Sequence, residues 1–368
     1  MSKIRVGVVG TGIIGQVMHL HFLRELADRF EIAAICDLSI DNARANAEAY
    51  GVALVYTEWR QMMAAELDAV LVLTSGSHAP LAVEAARRGL HVFVEKPMCF
   101  STDEAAEMVA AAESAGVVLM VGYPKRYDPA FARFRELARD LGDVRLLRVT
   151  TTEAPWRPYL AHYPLIAPGP IKEDVLRGLR ADDARRLTSA IGSDDPMLVH
   201  VYQNVLLDTL VHEINTIRGL WGEPERLEHV DYRPGALNVL LSYGDAAAAI
   251  HWLEVPGMTR YAMEFSVTGT AGRATLTFPS PYLRNAATAI FLERGSADDV
   301  ASSSTESITS FESGFKRELE AFATAIRGGA PVPTDGRDSA RDIALCQSIV
   351  RCMVERAPVD RPTELDHF

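Results

Sequence analysis

The chain has 368 residues, of which 48% are hydrophobic and 23% are charged, the composition of an ordinary globular protein. One hydrophobic core rarely serves so long a chain, because a domain typically takes about 100 to 200 residues, so we expect two domains. The 37 basic and 49 acidic residues give a net charge of −12, which would repel phosphate backbones and anionic lipids and argues against nucleic acid or a membrane surface as a partner.

The first third of the chain alternates short β-branched runs with helical patterns. Six runs have the length of strands and are nearly continuously apolar, as expected for strands covered on both faces: 4–9, 32–36, 53–56, 69–73, 91–94 and 117–121. Repeated strand–helix units with short connections imply right-handed crossovers. We therefore predict an α/β domain over residues 1–122, built on a doubly wound parallel sheet.

The pattern changes after residue 122. A helix near 128–139 and a strand at 144–152 precede an irregular stretch and a helix that ends near Trp221. Strand-like runs follow at 227–232, 236–243, 246–254, 263–268 and 274–278, and helices at 315–326 and 337–354 close the chain. This order predicts an α+β domain over residues 123–368 with an open, mostly antiparallel sheet. We expect the serine-rich segment 302–305 to be an exposed loop.

The cysteines and the N-terminal residues favour a cytoplasmic protein. Cys36, Cys99, Cys346 and Cys352 lack the Cys-x-x-Cys spacing of zinc and redox sites, which suits reduced thiols better than disulfides. The N-terminal residues run directly into a strand pattern without the features of a signal peptide. No apolar run approaches the roughly 18 residues that a membrane span needs.

A glycine-rich turn follows the first strand and opens a helix. It reads Gly10-Thr11-Gly12-Ile13-Ile14-Gly15. The first glycine allows a tight turn, the second lets the backbone approach a pyrophosphate, and the third lets helix and strand pack closely. Free N–H groups at the helix start, among them those of Ile13 and Ile14, attract phosphate.

An acidic residue, Asp37, ends the second strand 22 residues beyond Gly15. A carboxylate at that point can accept both ribose hydroxyls of an adenosine and would repel a 2′-phosphate. The strand, the glycines and the spacing together predict a Rossmann dinucleotide site that takes NAD, with NADP disfavoured. The alternative is that Asp37 only caps the next turn.

Two further loops lie at the carboxyl edge of the predicted sheet, where ligands bind beside the reversal of strand order. One contains Thr74 and His78, and the other contains Glu95, Lys96 and Pro97. We predict cofactor contacts from Thr74, His78, Glu95 and Lys96. Pro97 would fix the backbone that aims the amine of Lys96. The alternatives are a solvated lysine and a histidine that serves packing.

These motifs, together with later ones, resemble those of the Gfo/Idh/MocA family of oxidoreductases. The later motifs are Gly122-Tyr123-Pro124-Lys125-Arg126-Tyr127-Asp128-Pro129, Asp208-Thr209-Leu210-Val211-His212 and Gly269-Thr270-Ala271-Gly272. The resemblance covers nearly the whole chain. It implies an NAD(P)-dependent enzyme that acts on a hydroxyl of a sugar, glycoside or cyclitol, with the open sheet of the second domain used to form a homodimer or homotetramer.

Asp208 and His212 are four residues apart on an apolar helix, so both side chains project from one face. Oxidising a secondary alcohol needs a group that removes the hydroxyl proton near neutral pH, which favours His212 as the general base. Lys96 would stabilise the developing alkoxide, and Asp208 would orient a neighbouring hydroxyl. The resemblance implies the same three roles.

Two other interpretations of this pair were weighed. The first is a core histidine that makes a structural hydrogen bond with the aspartate. The second is a metal site, but Thr216 stands where a second histidine would be needed, so we predict no bound metal.

Three further residues are candidates for contact with the substrate. Lys125 is favoured by its family position and Tyr123 lies beside it, although basic residues at the start of a helix can equally be solvated. Trp156 can stack on the apolar face of a sugar, or it can belong to an oligomer contact.

The chain departs from the family pattern in two respects. Gln203-Asn204 and Leu210 stand where many relatives have glycine, which predicts a displaced pocket wall and an unusual substrate. The segment 157–203 is longer than the family usually needs and includes a helical piece near 171–188. Long insertions in compact domains tend to be lids or binding loops, so we hypothesise that this segment covers the active site or reaches a neighbouring subunit.

The sequence favours an NAD-dependent dehydrogenase of a sugar, glycoside or cyclitol. One alternative is a redox-assisted glycoside-processing enzyme, in which tightly bound NAD is reduced and reoxidised within one cycle. Another is a non-catalytic dinucleotide-sensing regulator. Lys96, Asp208 and His212 together argue against the regulator, because a sensor has no need of a base beside an alkoxide-stabilising amine.

Overall fold

The computed structural model describes residues 2–167, 169–296 and 298–360, which form two sheets and the helices around them. The first sheet consists of β1 (Ile4–Val9), β2 (Phe30–Cys36), β3 (Leu54–Tyr56), β4 (Ala69–Val72), β5 (His91–Glu95) and β6 (Leu119–Gly122). All neighbouring strands are parallel, in the order β3-β2-β1-β4-β5-β6. The order reverses between β1 and β4, which opens a crevice at the carboxyl edge.

This first sheet confirms the predicted doubly wound α/β fold. Every residue of β4 is buried, as are most of those in β1 and β5, because helices cover both faces of the sheet. Continuous apolar runs were therefore the correct signal for these strands. The strand bounds differ from the predicted ones by one or two residues, the usual uncertainty at element ends.

The second sheet is larger and mixed. Its strands are β7 (Val144–Glu153), β8 (Arg226–Arg233), β9 (Ala236–Tyr243), β10 (Ala246–Glu254), β11 (Ala262–Gly269), β12 (Gly272–Phe278), β13 (Ala289–Ser296), β14 (Asp299–Ile308) and β15 (Val359–Asp360). They are ordered β14-β13-β12-β11-β7-β10-β9-β8-β15. Within the described residues, β7 and β10 are parallel and the other neighbours are antiparallel, which confirms the predicted open, mostly antiparallel sheet.

The prediction of a loop at 302–305 was wrong. These residues lie in β14, which pairs with β13 in a register that places Ser304 opposite Glu293. An edge strand that is exposed on both faces has no need of the apolar alternation that identifies a strand in sequence. Its backbone hydrogen bonds to β13 hold it in place instead.

Twelve α-helices are described. They are α1 (Leu20–Glu25), α2 (Ile40–Tyr50), α3 (Trp59–Met62), α4 (Ala79–Arg87), α5 (Thr102–Ala115), α6 (Pro129–Arg139), α7 (Arg157–Leu160), α8 (Glu173–Ile191), α9 (Pro196–His200), α10 (Val211–Trp221), α11 (Gly314–Ile326) and α12 (Gly336–Glu355). Two π-helical stretches, Gly15–His19 and Val201–Leu210, precede α1 and α10, and a short 3-10 turn spans Pro124–Tyr127. Helix α8 confirms the predicted helical piece in the insertion.

The last two helices return to the first sheet. Phe315, Leu319 and Phe322 of α11 pack in one buried cluster with Val6 and Phe93 of the parallel strands. Helix α12 lies against α5 and β6. The division at residue 122 therefore separates two sheets in sequence, while the closing helices join them in space.

Two observations bear on the surroundings of the protein. Within the described ranges, no helix combines the length and the apolarity that crossing a bilayer requires. Cys36, Cys99, Cys346 and Cys352 are all free thiols and all buried.

Candidate active site

The glycine turn has the shape of a phosphate cradle. Gly10 has φ of 90°, and a Cβ there would lie 2.9 Å from the Leu73 carbonyl group, so only glycine fits. A Cβ at Gly15 would come within 3.0 Å of the Gly10 oxygen. At Gly12 a Cβ would meet no atom within 4 Å, so this side of the turn is open to a ligand. These residues fit the pyrophosphate of a dinucleotide.

The carboxylate of Asp37 ties the glycine turn to the end of β2. Its Oδ2 accepts from the Thr11 N–H at 2.9 Å, from the Thr11 hydroxyl at 2.7 Å and from the Asn42 amide at 3.0 Å. Its Oδ1 accepts from the Ser39 N–H at 3.0 Å. The turn-capping alternative is thus part of its role. Since Oδ1 accepts a single bond within the described chain, it keeps capacity for a ribose hydroxyl, and that contact stays a prediction.

The two loops at the carboxyl edge are connected by a buried histidine. The ring nitrogens of His78 lie 2.7 Å from the Pro97 oxygen and 2.8 Å from the Thr74 oxygen, so this buried residue joins the loop after β4 to the loop after β5. Burial lowers the pKa of His78, while its contacts with the two carbonyl oxygens act in the opposite direction. The cofactor contacts predicted for Thr74 and His78 stay predictions.

A buried polar cluster underlies the lysine loop. Glu95 accepts from the Lys96 N–H at 3.1 Å and lies 2.6 Å from Nε2 of His19. Glu318 completes the group, and the three side chains offer atoms within 4.8 Å of one another, the one set of possible metal ligands found among the described residues. Burial raises the pKa of Glu318 well above its usual range, which favours the protonated form of this carboxyl.

The amine of Lys96 meets the second domain directly. Its Nζ lies 3.1 Å from Oδ1 of Asp208 and also donates to the Asp208 carbonyl oxygen. His212 lines the same cavity, which has a volume of about 240 Å³ and opens beside Ile14 of the glycine turn. The structure therefore brings the three predicted catalytic residues into one pocket at the edge of the parallel sheet.

The helix that carries Asp208 differs from the predicted one. Residues 201–210 are π-helical, and regular α-helix begins only at Val211, so the expected uniform α-helix was wrong for this stretch. π-Helical turns are rare and occur often at functional sites. Asp208 and His212 line one pocket across this junction.

The surroundings of His212 disfavour its protonated form. Burial, with the nearby amines of Lys125 and Lys96, holds the pKa of His212 well below its usual range. Its Nδ1 is buried without a hydrogen-bond partner, and the ring meets Tyr123 edge-on at 5.9 Å between centroids. Since the described partner of Asp208 is Lys96, the structural Asp–His hydrogen bond considered above is not formed.

The three predicted substrate contacts are placed differently. Lys125 and Trp156 line the pocket, the former 7% and the latter 43% exposed. Tyr123 is 1% exposed and packs in the core behind His212, and it is not among the described residues that line the cavity. Its role in binding substrate stays a prediction that the placement does not favour.

Several residues of the pocket were missed. Glu153 at the end of β7 and the aromatic rings of Tyr261 and Tyr282 line it, beside Tyr159, whose hydroxyl donates to the Thr259 oxygen at 2.7 Å. The acidic residue directly before the Ala154-Pro155-Trp156 segment was the one available signal. The two tyrosines come from separate strands and loops, and no sequence spacing joins them to the motif residues.

The inserted segment lies along the carboxyl edge of its own chain's parallel sheet. Gln16, which follows the glycine turn, donates to the Ile166 carbonyl at 3.1 Å and accepts from the Ile166 N–H at 2.8 Å. The backbone of Gly169 packs so closely on Ser39 that a Cβ would collide with its hydroxyl. The segment thus contacts the loops after β1 and β2.

Helix α8 extends this cover to the next loops. A Cβ at Gly76 would lie 2.8 Å from a carboxylate oxygen of Asp183, and Arg186 donates to Glu104 at 2.6 Å. The insertion therefore covers the crevice within one chain, which supports the first half of the hypothesis. Contact with a neighbouring subunit stays a prediction.

Comparisons with known proteins match both halves of the chain. Residues 4–123 match the Gfo/Idh/MocA oxidoreductase family model for an NAD-binding Rossmann fold. Residues 204–360 match the model for the family's C-terminal alpha/beta domain. A solved 3-ketoreductase from Actinomadura kijaniata, in complex with NADP, has the same fold, with a TM-score of 0.70 and 21% identity over 94% of this chain and 96% of that one.

Two curated relatives illustrate the range of similarity. The inositol 2-dehydrogenase of Rhizobium meliloti is 25% identical over 97% of this chain and 98% of its own length. An uncharacterised oxidoreductase of Bacillus subtilis is 29% identical, but the match spans 41% of this chain and 45% of that relative.

Proposed function

Because the chain belongs to the Gfo/Idh/MocA oxidoreductase family, we propose that it is an NAD-dependent dehydrogenase acting on a secondary hydroxyl of a sugar, glycoside or cyclitol. The observation that carries the proposal is the meeting of Lys96, Asp208 and His212 in one pocket beside the glycine turn. The full-length similarity to an inositol 2-dehydrogenase supports the substrate class.

The reaction requires a hydride acceptor, which a bound nicotinamide supplies. His212, neutral near neutral pH because its pKa is lowered, takes the proton of the substrate hydroxyl. The ammonium of Lys96 stabilises the negative charge that develops on that oxygen. Asp208, held by its ion pair with Lys96 at 3.1 Å, accepts a hydrogen bond from a neighbouring hydroxyl and orients the ring.

NAD is the proposed cofactor, with NADP less favoured. Gly10, Gly12 and Gly15 would hold the pyrophosphate, and the carboxylate of Asp37 would repel a 2′-phosphate by its like charge. The related 3-ketoreductase was solved in complex with NADP, and we propose that the preference of this chain for NAD follows from its own Asp37.

A second candidate is a redox-assisted enzyme that keeps its NAD through the cycle. The specific observation in its favour is the insertion, whose Ile166 is fastened to Gln16 across the crevice. A cofactor covered by the chain's own segment leaves slowly, because that segment must detach first.

The proposed enzyme is a cytoplasmic homo-oligomer. The register of the second sheet puts five exposed apolar side chains on one face: Leu146, Leu240, Leu253, Phe291 and Ile308. These apolar side chains stand among polar ones such as Arg148 and Glu264 on the same face, and we propose that they contact a second copy of the chain. Four reduced, buried thiols suit a reducing compartment.

The test is oxidation of a panel of inositols, hexoses and glycosides, followed by the absorbance of reduced nicotinamide with NAD and separately with NADP. Lys96→Ala and His212→Ala serve as catalytic controls, with cofactor binding measured in parallel. Turnover of a neutral polyol that both substitutions abolish supports the proposal. Undiminished turnover in both variants, or none with any member of the panel, contradicts it. NAD that survives dialysis and is reduced once per chain favours the second candidate.

A further inference from the structure

One carboxylate of the substrate pocket has no role in the chemistry described so far. Glu153 is the last residue of β7, which lies between β10 and β11 in the middle of the second sheet. Its backbone is fixed, because its carbonyl oxygen accepts from the Val255 N–H at 3.0 Å. Its side chain lines the same cavity as Lys96 and His212. A central strand therefore presents this carboxylate in a defined position.

The carboxylate of Glu153 and the amine of Lys125 share one property: each lacks a close polar partner among the described residues. Among the residues that the structure describes, neither group has a hydrogen bond or a close ion pair. Lys125 is 93% buried, since only 7% of it is exposed. A buried charged group without a partner costs free energy, which a bound ligand recovers by completing its hydrogen bonds.

The ionisable groups that line the pocket include more carboxylates than amines. Glu95 is already hydrogen-bonded to His19 beneath it. Two amines, of Lys96 and Lys125, and two carboxylates, of Glu153 and Asp208, line the rest. An uncharged polyol adds no charge to this set. A substrate carboxylate would add a negative charge beside those of Glu95, Glu153 and Asp208, and like charges repel strongly in a partly buried site.

The pKa values of both unpartnered groups lie close to neutral pH. Burial and the neighbouring carboxyl of Glu213 raise the pKa of Glu153 to about 7. Burial lowers the pKa of Lys125 to about 8. Between these values the carboxylate accepts hydrogen bonds from hydroxyls and the ammonium donates them, which is the pairing that a polyol ring offers.

We propose that Glu153 is a substrate-binding residue that accepts hydrogen bonds from the hydroxyls of an uncharged sugar or cyclitol and rejects carboxylated sugars. This inference rests on the proposed dehydrogenase function and narrows its substrate class. Asp208 binds a ring hydroxyl beside Lys96 and His212, and Glu153 binds a hydroxyl beside the end of β7. The ammonium of Lys125 donates a hydrogen bond to a hydroxyl between them.

The test compares Glu153→Gln with the unaltered chain, each with NAD. KM and kcat are measured for the best neutral polyol of the panel, and D-glucuronate is measured as a competing substrate or inhibitor. A hydrogen bond to a charged group predicts that KM for the polyol rises about 10- to 100-fold, while kcat stays within about threefold. The inhibition constant of D-glucuronate falls by about tenfold or more, because the repelling charge is gone.

Glu254→Gln is the matched control, since Glu254 pairs with Glu153 in the sheet and its side chain is exposed. It leaves both constants unchanged. Equal KM and equal D-glucuronate inhibition in Glu153→Gln and the unaltered chain, with NAD affinity retained, overturn the proposal. Absence of polyol turnover in the unaltered chain instead rejects the dehydrogenase function, so the two failures are distinct.

Discussion

The amine of Lys96 lies 3.1 Å from the carboxylate of Asp208, although 112 positions separate the two residues in the chain. One follows the fifth strand of the parallel sheet, and the other belongs to the π-helical stretch of the second half. This ion pair joins the carboxyl edge of the parallel sheet to the π-helical stretch of the second domain. In the proposed mechanism it holds the amine where the alkoxide of a bound substrate would develop.

Lys96→Met should abolish catalysis without loss of the cofactor. Removal of one group that stabilises a developing oxyanion typically costs about 100- to 1,000-fold in kcat, and the affinity for NAD should stay within about threefold. Steady-state kinetics and a fluorescence titration with NADH measure the two effects. Lys172→Met, at an exposed residue before α8, is the control. Normal kcat in Lys96→Met would refute the assignment.

The pH dependence should separate three pocket groups. Because the pKa of His212 is held well below its usual range, the ring stays neutral throughout the neutral pH range. The loss of activity caused by its protonation is therefore expected at a pH below that usual range. With Glu153 at about 7 and Lys125 at about 8, kcat/KM for a neutral polyol should be greatest between these values. Below the first value Glu153 gains a proton, and above the second Lys125 loses one.

Two variants test which group causes each limb of the profile of kcat/KM against pH. Glu153→Gln should remove the acid limb near pH 7, and Lys125→Met should remove the alkaline limb near pH 8. The neighbouring charges of Glu213, Asp208 and Lys96 are unchanged in both. A profile whose limbs are the same in all three proteins would show that neither group titrates during substrate binding.

Asp37→Ala should relax cofactor choice. The substitution removes the charge that opposes a 2′-phosphate and an acceptor for the ribose hydroxyls, so NAD should bind about tenfold more weakly while NADP binds more tightly. Affinities of both reduced cofactors, measured by fluorescence, give the ratio. Asp28→Ala, at a residue exposed on the surface, should leave it unaltered. An unchanged ratio in Asp37→Ala would place the ribose elsewhere.

Gln16→Ala should speed the release of the cofactor. Two hydrogen bonds between Gln16 and Ile166 fasten the insertion across the crevice, and at about 1 kcal/mol each their loss corresponds to roughly a 10- to 30-fold faster dissociation of NADH. Stopped-flow displacement measures that rate. Gln61→Ala, at an exposed residue of α3, is the control. Identical dissociation rates would show that the insertion does not restrain the cofactor.

Arg218→Met should destabilise the fold. This guanidinium is buried and bonded to the buried carboxylate of Asp342, so its removal leaves an uncompensated charge between α10 and α12. The expected loss is about 3–5 kcal/mol in the free energy of unfolding. Arg226→Met, where the arginine is half exposed and pairs with Glu228, should cost under about 1 kcal/mol. Urea unfolding compares them, and equal midpoints would contradict the argument.

The sequence alone determined the parallel sheet, its glycine turn and the three residues that we propose as catalytic. Strands buried on both faces are continuously apolar, and Gly10 adopts a conformation that side chains resist, so both leave a direct mark on residue type. Asp208 and His212 were recognisable because their spacing places them on one side of a helix, even where part of that helix proved π-helical.

Only the tertiary structure decided which other groups share the pocket and what covers it. Glu153, Tyr261 and Tyr282 meet through the pairing of distant strands, and β14 is a strand through its partner rather than its own residues. Likewise, Gln16 meets Ile166 across 150 positions of chain. Contacts of this kind depend on how the folded chain packs in three dimensions, and such packing leaves no period or spacing in the order of the residues.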